Sequence, residues 1–184
     1  MNLILHIGMG KTGTSAIQAA LSSSADRLAA QGAEYLGMWF DMLDPRFRGV
    51  QNQEQFFSLP PEEMTHAADL LIEMLRARSA AGIQSFILSN EALSGKVGQM
   101  KPMINRLREA GIAVRVIGYA RNPASWLPSA YVQWGCVIRL SLARCSLTRS
   151  GRVSWCIGIL AYCIGIDRWA TSWKSDPMTR PAIS

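Results

Sequence analysis

The sequence predicts an α/β fold with a central, mainly parallel sheet and helices on both of its faces. Short apolar runs of strand length alternate with helical stretches along the first two-thirds of the chain. Three of the predicted helices end at a glycine that stands just before the next strand, namely Gly32, Gly82 and Gly111. Parallel strands need long crossover connections, so this alternation favours βαβ units over hairpins.

The predicted elements follow one another in a regular order. Leu3–Ile7 is the first strand, and the helix after it spans about residues 14–31. Residues 33–36 form a short extended piece, and residues 37–60 look irregular, which is typical either of a substrate lid or of a poorly ordered insertion. The remaining predictions are a helix that opens at Pro60–Glu63, a strand at 83–89, a helix at about 100–110 and a strand at 113–119.

The regular pattern is lost after about Trp134, so we predict an α/β domain over residues 1–134 and an atypical, poorly ordered tail over 135–184. Residues 1–135 hold 12 Lys and Arg against 11 Asp and Glu, whereas residues 136–184 hold 7 against 2. The positive charge therefore belongs to the tail. The tail has no nucleic-acid motif and is not amphipathic, so nucleic acid is not an expected partner. A second small module, a truncated gene and a tail read in a shifted frame would all fit this change of pattern, and a shifted or degenerate tail is the favoured interpretation.

Composition also bounds the compartment and the chemistry. No basic segment followed by an apolar run opens the chain, and no apolar run is long enough to cross a bilayer, so a soluble, cytoplasmic protein is expected. The four cysteines have no zinc-like spacing, and we expect free thiols. The sequence carries no signal for the oligomeric state.

The stretch from Gly8 to Ser15, which we call the lysine loop, is predicted to bind an anion. It joins the first strand to the first helix and contains three glycines and Lys11. Backbone N–H groups at a helix N-terminus attract negative charge, and glycine lets a ligand approach the backbone closely. Lys11 adds a full positive charge, and Thr12, Thr14 and Ser15 add hydroxyl donors, which suits phosphate or sulfate.

The lysine loop is not the standard nucleoside-triphosphate loop, because that spacing would need a glycine at Leu5. The order Lys-Thr-Gly-Thr-Ser instead resembles the 5′-phosphosulfate-binding loop of sulfotransferases that use 3′-phosphoadenosine 5′-phosphosulfate (PAPS). The resemblance implies a three-layer, P-loop-like fold, with PAPS as co-substrate and no metal. It assigns the 5′-phosphosulfate to Gly10, Lys11, Thr12, Gly13, Thr14 and Ser15.

A second segment resembles the same family. Arg121 directly follows a predicted strand, and Ser129 stands eight residues later on a predicted helix. Arginine offers a planar fork to a phosphate dianion, and a serine two turns along a helix supplies a second donor. The resemblance assigns the 3′-phosphate of PAPS to Arg121 and Ser129.

Glu91 follows the buried strand at 83–89 and is the candidate general base for the acceptor hydroxyl. Lys11 would then stabilise the leaving bridging oxygen. A helix-capping role for Glu91 stays open. His6 is expected to be a core histidine with satisfied hydrogen bonds, and His66 a solvated one.

The expected function is transfer of a sulfuryl group from PAPS to a hydroxyl or amine of a carbohydrate, lipid or small molecule. A small-molecule kinase of the P-loop type and an inactive relic that binds only adenosine 3′,5′-bisphosphate are the alternatives. The late nucleotide-holding loop usual in the family has no counterpart in residues 135–184, which keeps the inactive relic open as an alternative.

Overall fold

The computed structural model describes residues 1–132 of the chain. The chain divides into two compact units, Met1–Arg121 and Asn122–Ser184. The described part of the second unit is residues 122–132. The predicted boundary near residue 134 and the predicted tail lie outside the described residues and stay predictions.

The first unit contains a four-stranded sheet in which all neighbouring strands are parallel. The order across the sheet is β2-β3-β1-β4, so the first strand of the chain lies in its interior. This confirms the predicted α/β class and the parallel sheet. The strands are β1 (Asn2–His6), β2 (Ala33–Gly37), β3 (Ser85–Ser89) and β4 (Ala113–Ile117).

Helices connect the strands, as the sequence pattern predicts. Two short 3-10 helices, Pro45–Phe47 and Glu91–Gly95, lie in the connections before and after β3. The α-helices are α1 (Thr14–Ser22), α2 (Ala25–Ala29), α3 (Gln53–Phe57), α4 (Pro61–Ala80), α5 (Val97–Glu109) and, in the second unit, α6 (Pro123–Ala130).

The predicted helix at 14–31 is interrupted at two consecutive serines. The hydroxyl of Ser23 donates to the carbonyl of Ala20 at 3.2 Å, and Ser24 leaves helical geometry at the N-cap of α2. Serine side chains compete with the helix for backbone groups, and this local competition explains the break. The glycines predicted to end helices do so, since Gly32, Gly82 and Gly111 all have positive φ.

Packing of α4 against α5 forms a large part of the core. Both helices bury an apolar stripe, and a part-buried ion pair joins Arg106 Nε to Asp69 Oδ1 at 2.7 Å. The fully or nearly fully buried members of the two stripes are Met64, Ala68, Leu71, Ile72 and Leu75 on α4, and Met100, Met103, Ile104 and Leu107 on α5.

The connection over residues 37–60 is packed around four buried phenylalanines. Phe40 and Phe56 stack with ring centroids 3.8 Å apart, and the edges of Phe47 and Phe57 contact the ring of Phe56 at 5.2 and 5.6 Å. Aromatic pairs in these geometries add to the stabilisation from burial alone. The connection, which we call the 37–60 wall, is therefore packed and not a poorly ordered insertion, and its role in binding a substrate stays a prediction.

Phe56→Ala is expected to lower the free energy of unfolding by about 3–5 kcal/mol, because the ring is fully buried among three others. Val50→Ala in the same connection is the control, since Val50 is 69% exposed and its truncation should change stability by less than about 0.5 kcal/mol. Urea unfolding followed by circular dichroism measures both. Equal effects of the two variants would contradict the packed wall.

Candidate functional site

Three strands end at the same level, and we call this side of the sheet the carboxyl edge. In the register of the sheet, His6 of β1 stands beside Ser89 of β3 and Ile117 of β4. The pairing continues one step further, since the Asn90 N–H donates to the His6 carbonyl at 3.0 Å and the Ile7 N–H donates to the Ile117 carbonyl at 2.8 Å. Ligands of open parallel sheets bind beyond this edge.

The lysine loop leaves β1 in a strained conformation. Lys11 has φ +68°, and it is the only non-glycine residue with positive φ in the described part of the chain. Side chains other than glycine, asparagine and aspartate adopt this region rarely, and such residues concentrate at functional sites. Gly13, with φ +90°, is the N-cap of α1 and cannot supply a capping side chain. The N-terminal turn of α1 therefore opens towards the loop without a side-chain cap.

The threonine hydroxyls of the loop have a structural role. Thr12 Oγ1 and Thr14 Oγ1 both donate to the carbonyl of Met9, the latter at 3.3 Å. Their hydrogens therefore hold the turn closed, whereas the sequence suggests that they serve as ligand donors. Thr14 is buried, Lys11 is half-buried and Ser15 is exposed. Gly10, which the resemblance assigns to the same site, is buried in the loop.

Arg121 lies against the lysine loop. Its Nη1 donates to the carbonyl of Lys11 at 3.3 Å, which joins the end of the β4 segment to the loop that follows β1. The guanidinium is exposed, so it adds positive charge to the solvent side of the loop. The structure thus brings together Lys11 and Arg121, which the sequence places 110 residues apart.

Ser129 belongs to the second unit and lies on α6, where it is half-buried. Helix α6 begins with an Asn122 cap, whose side chain accepts from the N–H of Ala124 at 2.9 Å. The pairing of Ser129 with Arg121 around one phosphate stays a prediction.

Glu91 is the first residue of the 3-10 helix that follows β3. It is half-buried, and its backbone carbonyl accepts from the hydroxyl of Ser94 at 2.8 Å. Glu91 therefore lies at the carboxyl edge, at the end of β3 and next to β1, which leads into the lysine loop. Asn90 is the N-cap of this helix, and its Oδ1 accepts from the Ala92 N–H at 2.9 Å, while Glu91 is the acidic residue of the first turn. The assignment of Glu91 as a base and its alternative as a structural acid both stay predictions.

Two amide side chains that the sequence analysis did not single out tie the edge together. Asn90 is buried, and its Nδ2 donates to the Met38 carbonyl at 2.8 Å and to Gln53 Oε1 at 3.3 Å. Gln18 of α1 donates from Nε2 to the carbonyl of Ser89 at 3.1 Å. Asn90 thus fixes the 37–60 wall to β3, and Gln18 fixes α1 to β3. The position of Asn90, directly after a buried strand, is the only signal that the sequence offers for it.

His6 differs from the prediction of a satisfied core histidine. It is only 4% exposed, and Nδ1 lies 2.7 Å from Ser89 Oγ. Nε2, however, is a buried nitrogen with no hydrogen-bond partner among the described residues. Burial lowers the pKa of His6, which keeps the ring neutral at physiological pH. The ring also meets Tyr119 edge-on, with centroids 5.6 Å apart.

Two features are absent from residues 1–132. No group of three or more His, Cys, Asp or Glu side chains is arranged to hold a metal ion in this part of the chain. No helix in the same range is both long and apolar enough to cross a membrane.

Comparison of the chain with protein-family models, with curated proteins and with solved structures finds no match. The site therefore has to be interpreted from its own geometry, which combines a strained lysine loop at a helix N-terminus, an arginine in contact with that loop, and a carboxylate and a buried histidine at the same edge of the sheet.

Proposed function

We propose that this chain binds PAPS at the carboxyl edge and transfers its sulfuryl group to an acceptor hydroxyl or amine. The observation that carries the proposal is the contact between Arg121 and the backbone of Lys11. One loop built for an anion and one guanidinium beside it suit a ligand that has two anionic ends. Adenosine bisphosphates have that property, with a 5′ group and a 3′-phosphate on one ribose.

The proposed architecture is a three-layer, P-loop-like arrangement around the sheet. Connections between parallel strands are right-handed in nearly all proteins. The path from β1 to β2 runs across the sheet in the direction opposite to the paths from β2 to β3 and from β3 to β4. Right-handed crossovers would therefore put α1 and α2 on one face and α4 and α5 on the other. The packing of α4 against α5 supports this arrangement.

In the proposed reaction, the lysine loop holds the 5′-phosphosulfate. The acceptor oxygen attacks sulfur, and the bond between sulfur and the bridging oxygen of the 5′-phosphate breaks. Lys11 stabilises the negative charge that develops on the bridging oxygen, and Glu91 takes the proton of the acceptor. The products are the sulfated acceptor and adenosine 3′,5′-bisphosphate, with Arg121 as the proposed partner of the 3′-phosphate.

The rigid wall over residues 37–60 is the proposed source of acceptor selectivity. Asn90 attaches this wall to the strand end that carries Glu91, so an acceptor bound along the wall would meet the proposed base. A screen of acceptor compounds should therefore use protein in which residues 37–60 are unchanged.

Ligand-induced thermal stabilisation tests the proposal. Adenosine 3′,5′-bisphosphate at about 100-fold its Kd should raise Tm by roughly 5–10 °C, because it binds only the folded state. ATP with Mg²⁺ at the same concentration is the comparison for a kinase. Stabilisation by ATP–Mg²⁺ alone would contradict the proposal. Binding of the bisphosphate without transfer of radiolabelled sulfate from PAPS to any sugar, alcohol or amine in a panel would indicate the inactive relic.

Lys11→Ala and Glu91→Gln should both lower kcat by different routes. Loss of Lys11 removes a stabilising charge worth about 2.7–4 kcal/mol in the transition state, which is about a 10²–10³-fold effect. Loss of the base costs about 10²–10⁴-fold and leaves bisphosphate affinity unchanged. Sulfate transfer at saturating PAPS measures both. Lys101→Ala and Glu62→Gln are exposed controls with the same charge changes. Full activity of Lys11→Ala would refute the assigned role of that lysine.

Arg121→Ala should weaken binding of adenosine 3′,5′-bisphosphate by about 10–150-fold, because one charge-assisted hydrogen bond is worth about 1.5–3 kcal/mol. The same variant should lose less affinity for adenosine 5′-monophosphate, since that ligand lacks the 3′-phosphate and would feel only the loss of the contact with the Lys11 carbonyl. Titration calorimetry with the two nucleotides makes the comparison, and Arg76→Ala on α4 is the charge control. Equal losses for both nucleotides would show that Arg121 only shapes the loop.

A further inference from the structure

We propose that His6 is a further binding residue of the lysine loop, and that its Nε2–H donates a hydrogen bond to an oxygen of the phosphate or phosphosulfate held there. This inference rests on the proposed function and deepens it. It assigns a neutral, buried donor to a site that the sequence describes only by its lysine, glycines and hydroxyls.

The unpartnered Nε2 of His6 lies beside Gly8. A methyl group built on Gly8 would lie 3.2 Å from His6 Nε2, 3.3 Å from Thr14 Oγ1 and 3.4 Å from Thr12 Oγ1. These three polar atoms therefore surround Gly8, the first residue of the lysine loop. Any side chain at this position would crowd them, whereas glycine leaves the space in front of Nε2 open.

The contact between His6 and Ser89 determines which ring nitrogen carries the hydrogen. Ser89 is completely buried, and its hydroxyl meets His6 Nδ1 at 2.7 Å. If Nδ1 carried the hydrogen, the buried hydroxyl hydrogen of Ser89 would be left without an acceptor among the described residues. Donation from Ser89 to Nδ1 satisfies both groups and puts the ring hydrogen on Nε2. Burial lowers the pKa of the ring, which favours the neutral form, and the contact with Ser89 selects the tautomer.

The Nε2–H of His6 needs an acceptor that the described residues do not supply. The hydroxyl hydrogens of Thr12 and Thr14 are already given to the Met9 carbonyl, and neither threonine bonds to Nε2. A buried N–H without a partner is rare in folded proteins and calls for an acceptor supplied by a ligand or a water. An oxyanion in the lysine loop would provide that acceptor, because Nε2 lies beside Gly8, the first residue of the loop.

The arrangement also explains why a histidine suits this position of β1. A neutral imidazole donates one hydrogen bond without adding a second full charge, in a buried position, to a loop that already carries Lys11. Ser89 fixes the ring from the neighbouring strand, so the donor is oriented before the ligand arrives. His6 is accordingly a binding residue, and the proposal gives it no part in moving the acceptor proton.

Ring-nitrogen NMR of the histidines tests the inference, with adenosine 3′,5′-bisphosphate as the probe. The chain has two histidines, and His66, which is exposed on α4, is an internal control. In the free protein, His6 should show the neutral tautomer with hydrogen on Nε2. Saturation with the probe should move the Nε2–H proton downfield and give a through-hydrogen-bond correlation with the phosphorus of the 5′-phosphate. His66 should not change.

Affinity measurements provide the second readout. His6→Phe keeps an aromatic ring but removes the donor, and should weaken probe binding by about tenfold or more. His6→Gln keeps an N–H donor and should bind more tightly than His6→Phe, which a purely structural role would not predict. His66→Phe should bind like the wild type. Circular dichroism establishes that each variant is folded, and the ring signals of the wild type do not depend on any variant.

The outcomes separate the two proposals. If the amide signals of Gly13 and Thr14 shift with the probe while the His6 ring does not, the inference is wrong and the sulfotransferase proposal stands. A ring N–H that exchanges with water and ignores the probe would also overturn the inference, since it would assign the acceptor to a bound water. If the probe leaves both loop and ring unchanged, the inference and the proposed function fall together.

Discussion

The register of β1 between β3 and β4 is the constraint on which the site depends. Parallel pairing places His6, Ser89 and Ile117 side by side, so the segments that follow them start from one line. A shift of one residue would turn every side chain of β1 to the other face of the sheet. Leu3 and Leu5, which are buried, would lose their packing, and His6 would lose Ser89. The same apolar burial that fixes the strand therefore fixes the hydrogen bond that orients the ring.

The sequence could predict the parts of this structure that depend on local pattern. Buried strand runs, glycines after helices and the Lys-Thr-Gly-Thr-Ser loop are contiguous, and their physical meaning does not need distant partners. The break between α1 and α2 was missed because two serines weigh little in a helical pattern, although their hydroxyls compete for the backbone. The start of α5 at Val97, a few residues before the predicted position, reflects the same uncertainty at helix ends.

Contacts between distant segments could not be predicted in this way. The four phenylalanines of the 37–60 wall look like scattered aromatics in the sequence, and only their stacking makes the segment a packed layer. Asn90 forms hydrogen bonds with Met38 and Gln53, which stand 52 and 37 positions earlier in the chain, and no local pattern encodes such pairs. The unsatisfied Nε2 of His6 depends on a ring orientation set by Ser89, 83 residues later. The sequence shows which residue types could bind or react, but it does not show which distant residues they contact.

The strain in the lysine loop and the open donor of His6 lead to the same physical conclusion. A lysine at φ +68° costs about 1–3 kcal/mol, and it persists because Thr12 and Thr14 bond the Met9 carbonyl from inside the turn. Arg121 holds the Lys11 carbonyl from outside. A loop braced on both sides does not need to rearrange when an anion enters, so the ordering cost is met during folding and less of the binding energy is lost. An uncapped helix end, a buried N–H without a partner and a left-handed lysine are each unfavourable in isolation. The proposed oxyanion would supply acceptors to the helix end and to the His6 ring, while the braced turn keeps Lys11 at its positive φ.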